Sequence, residues 1–232
     1  MKYIYVFLTL ICLNSTAQTL YPRIGITASV NTYAEPNHDI KPKIGFTFGV
    51  GYNKTLSKTI SLQAELNYIQ KSFESDYLHT TTVQYGEELY ALHEKRSDQY
   101  NISYLELPLL IKARVLHDDF FVLGGFSIGM GLGGTHKYEY DRTSSYLDPL
   151  QEGASREIKF DDASSTTNED VYFDNRWDMG FHVGLGALIL KRIQIECRYG
   201  LGAINLYDHA DSKNRCLQVA LSTPISFKRQ KS

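Results

Sequence analysis

Residues 104–134 read YLELPLLIKARVLHDDFFVLGGFSIGMGLGG, and this stretch decides the fold class. Apolar side chains hold every second position before and after the polar turn at residues 116–119, with Leu110 as an exception in the first half. A period of two residues is typical of a β-strand with one apolar face. The other face of the second strand is mostly glycine, at Gly125, Gly129, Gly131 and Gly133. The stretch therefore predicts a β-hairpin with one apolar face and one face of small residues.

The glycine-rich face indicates where this hairpin lies in the fold. Glycine lowers strand propensity and offers nothing to water, whereas it lets the lumen of a narrow barrel accept large side chains from across it. The same division into an apolar face and a polar or glycine-rich face recurs in residues 59–71 and 176–190. A membrane barrel puts its apolar face outside, and a lipocalin-like soluble barrel puts it inside. The glycines favour the membrane barrel, and the soluble barrel is the alternative.

The pattern of strands and connections supports the same choice. Strands are predicted at residues 22–32, 43–55, 59–71, 99–116, 119–133, 176–190, 192–206 and 214–228. Long and short connections alternate, and the longest are residues 72–98 and 134–175. Outer-membrane barrels show this alternation, because their periplasmic turns are short and their extracellular loops are long. The predicted fold is an all-β, eight-stranded antiparallel up-and-down transmembrane β-barrel with short periplasmic turns and long extracellular loops.

The first 17 residues predict a secretory signal peptide. They hold one lysine, an apolar run over residues 3–13, and small residues at Ser15 and Ala17 before Gln18. The run is too short for a membrane span, which needs about 20 apolar residues. Lipoprotein processing at Cys12 is a weaker alternative, because the residue before it is Ile11 rather than a small one. Residues 18–232 show no dividing linker and are expected to form one outer-membrane β-barrel domain.

Charge and cysteine content narrow the function classes. The formal net charge is -2 and the pI is near 6.4, so nothing suggests binding to nucleic acid. Two cysteines follow the predicted signal peptide, Cys197 and Cys216, and strand parity puts them on opposite faces. They should therefore form no disulfide with each other.

Charged side chains collect on the inward parity of the predicted strands. The set is Glu65, Glu106, Lys112, Arg114, Glu196 and Arg198. Opposite charges in a narrow lumen should pair, because an isolated buried ion costs on the order of several kcal/mol. One interpretation is a structural plug, since the interior of an eight-stranded barrel is just filled by side chains. A proton or ion path is the other interpretation.

Catalytic, cofactor-binding and metal-binding residues are not predicted. Only His182 of the histidines after residue 17 lies in a strand interior, on the lumen side, and the loop histidines have no spacing that selects a Ser/His or Asp/His site. The two long connections are acidic, with six acidic against two basic residues in 72–98 and ten against four in 134–175. These connections predict either solvated flexible loops or a surface for a partner or divalent cation. The best carboxylate pairs are Asp161–Asp162 and Glu169–Asp170.

Several of these stretches also carry a family resemblance. Residues 104–112, YLELPLLIK, followed by a glycine-rich strand, resemble the central signature of the PorT-like outer-membrane β-barrel proteins of Bacteroidetes. The resemblance extends to residues 45–51, 62–71 and 198–206 and covers nearly the whole chain after residue 17. It implies a β-barrel in the bacterial outer membrane and supplies no catalytic residues.

Two function classes follow from these observations. The first is a non-enzymatic outer-membrane protein that acts as an envelope anchor, an interaction surface or an accessory component of protein export, as the resemblance implies for some PorT-like relatives. Its expected partners are outer-membrane lipid and other envelope or secretion proteins. The alternative is a small outer-membrane hydrolase or acyltransferase with an active site at the rim of the barrel.

Overall fold

The computed structural model describes residues 18–32, 38–86, 88–115, 119–144, 148–160, 170–189, 192–208 and 211–226. The described chain forms these strands: β1 (Gln18–Asn31), β2 (His38–Thr55), β3 (Ile60–Tyr85), β4 (Glu88–Val115), β5 (Phe120–Ser144), β6 (Leu150–Phe160), β7 (Val171–Phe173), β8 (Trp177–Ile189), β9 (Ile193–Asn205), β10 (Lys213–Ser222) and β11 (Ile225–Ser226). None of the described residues belongs to a helix long and apolar enough to span a membrane. The predicted signal peptide lies outside the described residues, as do Asp161, Asp162 and Glu169.

Eight of the strands close into a ring. Neighbours around it are β1, β2, β3, β4, β5, β8, β9 and β10, and β10 pairs with β1 to complete the circle. Every pairing in the ring is antiparallel. A closed ring leaves no unpaired strand edge, as a lipid-embedded sheet requires. The prediction of an eight-stranded antiparallel barrel is therefore confirmed.

The apolar face of the ring points outward. Large apolar side chains remain exposed on every ring strand, among them Ile24, Phe48, Leu66, Leu107, Phe126, Phe181, Leu201 and Val219. An exposed apolar surface that runs around a whole molecule is the lipid-facing band of a membrane barrel. The outward apolar face is thus confirmed, and the lipocalin-like alternative is wrong.

Most side chains on the inward face are polar or small, and glycines there lie beneath aromatic rings. A Cβ atom on Gly51 would lie 2.1 Å from the ring of Tyr21, and one on Gly186 would lie 2.3 Å from the ring of Phe121. These two aromatic side chains fold over glycines on directly paired strands, so the lumen glycines make room for rings from the adjacent strand rather than from across the lumen. Cys216 is buried in the lumen, and both it and the half-buried Cys197 are free.

The strands extend much further at one end of the barrel than at the other. The short connections β2–β3, β4–β5 and β8–β9 lie at one end, together with Gln18 and β11, and we call this the inner end. At the opposite, outer end the β3–β4 hairpin stays paired up to Tyr85 and Glu88. The prediction of a loop over residues 72–98 is therefore wrong. Thr80–Tyr85 is rich in β-branched and aromatic residues, which favour strands, and Gly86 turns with a φ of 67°.

The second long connection also continues as sheet. β5 pairs with β8 up to Met130, and from Gly134 onward it pairs with β6 instead. Gly133 allows this change of neighbour, because it sits beside a register shift with a φ of 126°, which favours glycine. β7 then runs parallel to β6. The expectation of one long loop over residues 134–175 is wrong, and a second tier of strands stands above the ring.

Candidate functional site

A group of four charged side chains lies in the inner half of the lumen, and we call it the lower network. Arg198 donates to both oxygens of Glu65, with Nη1 to Oε2 at 2.7 Å and Nη2 to Oε1 at 2.6 Å. Arg23 also donates to Glu65, and Arg198 donates to Glu196. All four side chains are buried. The two arginines and two glutamates balance in charge, which removes the cost of burying an unpaired ion.

Neutral side chains complete the hydrogen bonding of Glu65. Tyr21 donates its hydroxyl hydrogen to Oε1 at 2.9 Å, and Gln63 donates to the same oxygen at 2.7 Å. Asn67 donates to Oε2 at 2.9 Å. Gln63 also reaches Glu196 at 3.4 Å. Glu65 is therefore the centre of a network that joins β1, β3 and β9 across the barrel.

An upper network lies closer to the outer end. The Lys71 ammonium lies 3.1 Å from Glu106 Oε1 and 2.8 Å from Asp178 Oδ2. Asn214 donates to Asp178 at 3.0 Å and to the Tyr104 hydroxyl at 3.4 Å. One buried cation thus holds two carboxylates from β4 and β8.

Ser127 and His182 belong to this upper network and have the residue types of a hydrolytic pair. Ser127 Oγ lies 2.8 Å from His182 Nε2, and Glu106 Oε1 lies 3.8 Å from the same nitrogen. A catalytic triad needs the acid on the other ring nitrogen. Nδ1 of His182 has no hydrogen-bond partner among the described residues. The cavity beside this pair is only about 10 Å³, so it admits no substrate.

Apolar side chains seal the lumen above the two networks. The buried members of this apolar cap come from the ring and from the second tier: Ile69, Phe73, Ile102, Tyr104, Ile158, Phe173, Leu206 and Cys216. Phe160 adds to the seal, since its ring occupies the place where a Cβ of Gly131 would stand. Two charged layers and an apolar cap therefore fill the barrel.

The structure brings part of the predicted charge set together. Glu65, Glu196 and Arg198 meet in the lower network. Glu106 lies in the upper network, where its partner is Lys71. These four members of the predicted set are therefore split between two layers.

The last two members of the predicted set lie toward the inner end. Lys112 is buried, donates to Gln194 Oε1 at 2.5 Å and sits 3.5 Å from the centre of the Phe121 ring. Arg114 is exposed and lines a cavity that opens at the inner end. The lysine and the arginine thus lie apart from the carboxylates they were expected to meet.

Sequence reasoning missed Arg23, Lys71 and Asp178 as members of the charge layers. The signal for Arg23 was available, because it alternates with the outward Ile24 and Ile26 along β1. Lys71 and Asp178 also hold inward parity. A count of every inward charge would have found all three residues, but not which carboxylate each cation meets.

A larger cavity lies at the outer end, above the apolar cap. Its volume is about 460 Å³, and its lining is Asn31, His38, Ile40, Phe73, Ser75, Tyr77, Arg96, Asp98, Tyr100 and Tyr207. This is within the range of about 300–1,000 Å³ typical of small-molecule sites. The aromatic rings and the charged pair at its wall give it both stacking and hydrogen-bonding groups.

The charged pair in this outer cavity is tightly held. Arg96 donates to both oxygens of Asp98, at 2.7 and 2.9 Å. His136 Nε2 lies 2.7 Å from Asp98 Oδ1, and the His136 ring stacks on Tyr100 at 4.6 Å. Burial alone would raise the pKa of Asp98, but the hydrogen bonds from His136 and Arg96 hold it below its usual value. Asp98 is thus a carboxylate fixed in its charged form.

The acidic outer residues form no metal site in the described part of the chain. There, no group of three His, Cys, Asp or Glu side chains could hold a metal ion. Asp170, one member of the proposed carboxylate pairs, is bound to the Lys159 ammonium at 2.7 Å. Its carboxylate already has a cation as its partner.

Comparison with known proteins identifies a matching family model and several solved structures of low sequence identity. A family model described as an outer membrane protein beta-barrel domain matches residues 16–208. No curated protein sequence matches the chain.

Three similar solved structures illustrate the structural likenesses. Ail of Yersinia pestis is 10% identical, with 91% of this chain and 100% of that chain covered and a TM-score of 0.39. The Neisserial surface protein A is 7% identical, with coverages of 88% and 96% and a TM-score of 0.39. OprG of Pseudomonas aeruginosa is 7% identical, with coverages of 91% and 98% and a TM-score of 0.41. At these identities and scores, the likenesses carry no information about function.

Proposed function

The chain belongs to the outer membrane protein beta-barrel domain family, and we propose that it is a non-enzymatic interaction protein of the bacterial outer membrane. Its lipid-facing band anchors it, and its outer hairpins present the contact surface. The partners are other proteins of the envelope, including components of protein export. The likeness of residues 104–112 to the PorT-like signature supports a place in that group of Bacteroidetes proteins.

One observation carries this proposal: paired strands extend beyond the lipid-facing band, while side chains block the lumen. The β3–β4 hairpin continues for many residues above the lipid-facing band, from Phe73↔Tyr100 to Tyr85↔Glu88. The β5–β6 hairpin rises beside it, from Gly134↔Ile158 to Arg142↔Leu150. A barrel that serves only as an anchor needs no such tier, and a filled barrel cannot act as a channel for large solutes.

The charge of the outer tier indicates the chemistry of its partner. Among the described residues of 72–98 and 134–175, twelve are acidic and six are basic. Complementary charge speeds encounter and discourages wrong partners. The fitting partner surface is basic, with aromatic or sugar-like groups that could enter the outer cavity.

Hairpin shortening in the native envelope tests this proposal. Tyr77 pairs with Arg96, so residues 78–95 can be replaced by a two-residue Asn-Gly turn without disturbing the strands below. Asp141 pairs with Gln151, so residues 142–150 can be replaced in the same way as the matched variant. Both variants should remain heat-modifiable, which means that the unboiled, folded protein migrates faster on a gel than the boiled protein. At least one variant should no longer cross-link to the proteins that are captured by the wild type. An unchanged set of cross-linked proteins in both variants would overturn the proposal.

The hydrolase alternative has its own measurement. The enclosed Ser127–His182 pair and its cavity of about 10 Å³ give no site where a substrate could react. Purified folded protein should therefore hydrolyse neither phospholipid nor peptide substrates. Turnover that disappears in a His182→Gln variant with unchanged heat-modifiability would establish the enzyme instead.

A further inference from the structure

We propose that the inner end of the barrel holds a binding site for a small oxyanion of phosphate size. The site is a cavity of about 150 Å³ between the lower network and the inner turns. Lys112 and Arg114, two residues apart on β4, both line it. Sites for drug-sized ligands have volumes of about 300–1,000 Å³, so this cavity takes only a small group.

The cavity carries unbalanced positive charge. The other cations named in the lumen, Arg23, Arg198 and Lys71, each lie within ion-pair distance of a carboxylate. Among the described residues, neither Lys112 nor Arg114 has such a partner. Lys112 is only 8% exposed, so its charge is largely removed from water. A buried charge without a counter-ion is costly, and an incoming anion would offset that cost.

The neighbours of Lys112 explain why no internal carboxylate fills this role. Its ammonium donates to Gln194 Oε1 and faces the ring of Phe121. Glu196, two residues along β9 from Gln194, is already bound by Arg198 and by the Gln194 amide. The Lys112 ammonium therefore lies at the cavity wall without a carboxylate partner among the described residues.

The rest of the lining suits an oxyanion. Among the described residues, this lining contains no Asp or Glu and offers hydroxyl and amide groups that can donate hydrogen bonds: Thr19, Asn53, Thr55, Ser61, Gln194 and Ser222. Charge-assisted hydrogen bonds from lysine and arginine to phosphate oxygens are among the strongest in proteins. Two cations and these neutral donors therefore suit an anion.

The surroundings of the cavity would concentrate anions at its mouth. The described residues at the inner turns include Lys54, Lys58 and Arg192 against one acid, Asp119. The outer tier is acidic, so the molecule has opposite charges at its two ends. A positive mouth raises the local concentration of anions and their rate of entry.

Titration of the folded protein with inorganic phosphate tests the site. The full chain without its predicted signal peptide is folded in a neutral detergent, and calorimetry measures phosphate affinity. Lys112→Gln and Arg114→Gln should each weaken binding about tenfold or more, because each removes a charge-assisted hydrogen bond. Lys58→Gln, which removes the same charge from the inner turn but outside the cavity, should change the affinity by less than about twofold.

Two sources of the phosphate group are distinguishable. Protein in phosphatidylcholine vesicles should bind inorganic phosphate. The same titration is then repeated with vesicles that also contain phosphatidylglycerol. Loss of phosphate binding would identify the lipid headgroup as the occupant, and retained binding would identify a free phosphate compound. Absence of phosphate binding in both detergent and phosphatidylcholine vesicles would overturn the proposal. An equal loss of phosphate affinity in Lys58→Gln and in Arg114→Gln would also overturn the proposal. This comparison holds even if Lys112→Gln fails to fold.

Discussion

Lys71 of β3 and Asp178 of β8 lie 2.8 Å apart across the lumen, although two other strands separate them in the ring. Both side chains are buried, and Glu106 from β4 shares the same ammonium. This contact ties opposite walls of the barrel together. Its consequence is that the fixed shape of the barrel depends on a few internal charges as well as on the strand ladder.

Removal of the shared cation should therefore destabilise the barrel. Lys71→Met leaves Glu106 and Asp178 buried without a counter-ion, and breaking a buried pair in this way costs about 3–5 kcal/mol. The temperature at which heat-modifiable migration is lost should fall clearly. The triple variant Lys71→Met, Glu106→Gln, Asp178→Asn should recover much of that loss, and equal stability of Lys71→Met and wild type would contradict the argument.

The filled lumen should not conduct. Two charge layers and the apolar cap around Tyr104 and Phe173 leave no continuous water path for large solutes. Purified folded monomer in planar bilayers should give no large stable conductance, with a boiled sample as the control for detergent artefacts. Reproducible large channel steps from the folded sample would show that the lumen opens.

The outward apolar face should be sensitive to charge only where it meets lipid. Leu109→Arg places a charge in the lipid-facing band and should cost about 2–4 kcal/mol near the bilayer midplane. Leu89→Arg is the matched control, because Leu89 lies on the same strand, is 69% exposed and sits in the outer hairpin. Folding into vesicles should fall for the first variant only. Equal tolerance of both changes would mean that this face does not contact lipid.

Sequence could predict the ring strands because lipid imposes a strict period of two on them. Leu105, Leu107 and Leu109 must face outward, so each strand and its two faces are visible in the alternation. Beyond the membrane this constraint ends. Residues 78–85 form a strand that is surrounded by water rather than lipid. The sequence feature that favours a strand there is the β propensity of residues such as Thr81 and Val83. The sequence pattern alone therefore does not distinguish the outer hairpins from loops.

The partners inside the lumen could not be predicted for a different reason. Parity shows that Glu65, Glu106 and Glu196 face inward, but the meeting of two strands across a barrel depends on their tilt and stagger. Lys71 and Asp178 are 107 positions apart in sequence. Only the closed ring brings them together, so the charges divide into layers that no spacing in the sequence reveals.

The outer cavity should respond to acid through Asp98. Its pKa lies below the ordinary value of about 3.9, so its contribution to stability is present above that pH and is lost as the pH falls through the folded-state pKa. Hydrogen exchange of peptides that cover Asp98 and His136, corrected for intrinsic rates, should show loss of protection in acid. Asp98→Asn should remove this pH dependence. The same acid response in Asp98→Asn would assign the effect to another group.

The last prediction concerns which way the barrel faces, because the proposed contact surface and the proposed anion site require opposite compartments. In outer-membrane barrels the long connections face outward and the short turns face the periplasm. Gly86 forms the exposed turn of the β3–β4 hairpin with open space around it, so it should tolerate an inserted epitope. Antibody should reach an epitope at Gly86 on intact cells, and it should reach an epitope added after Ser232 only once the outer membrane is opened. Exposure of the second epitope together with protection of the first would invert the barrel, and the acidic hairpins would then meet periplasmic partners while the basic mouth of Lys112 and Arg114 faced the cell exterior.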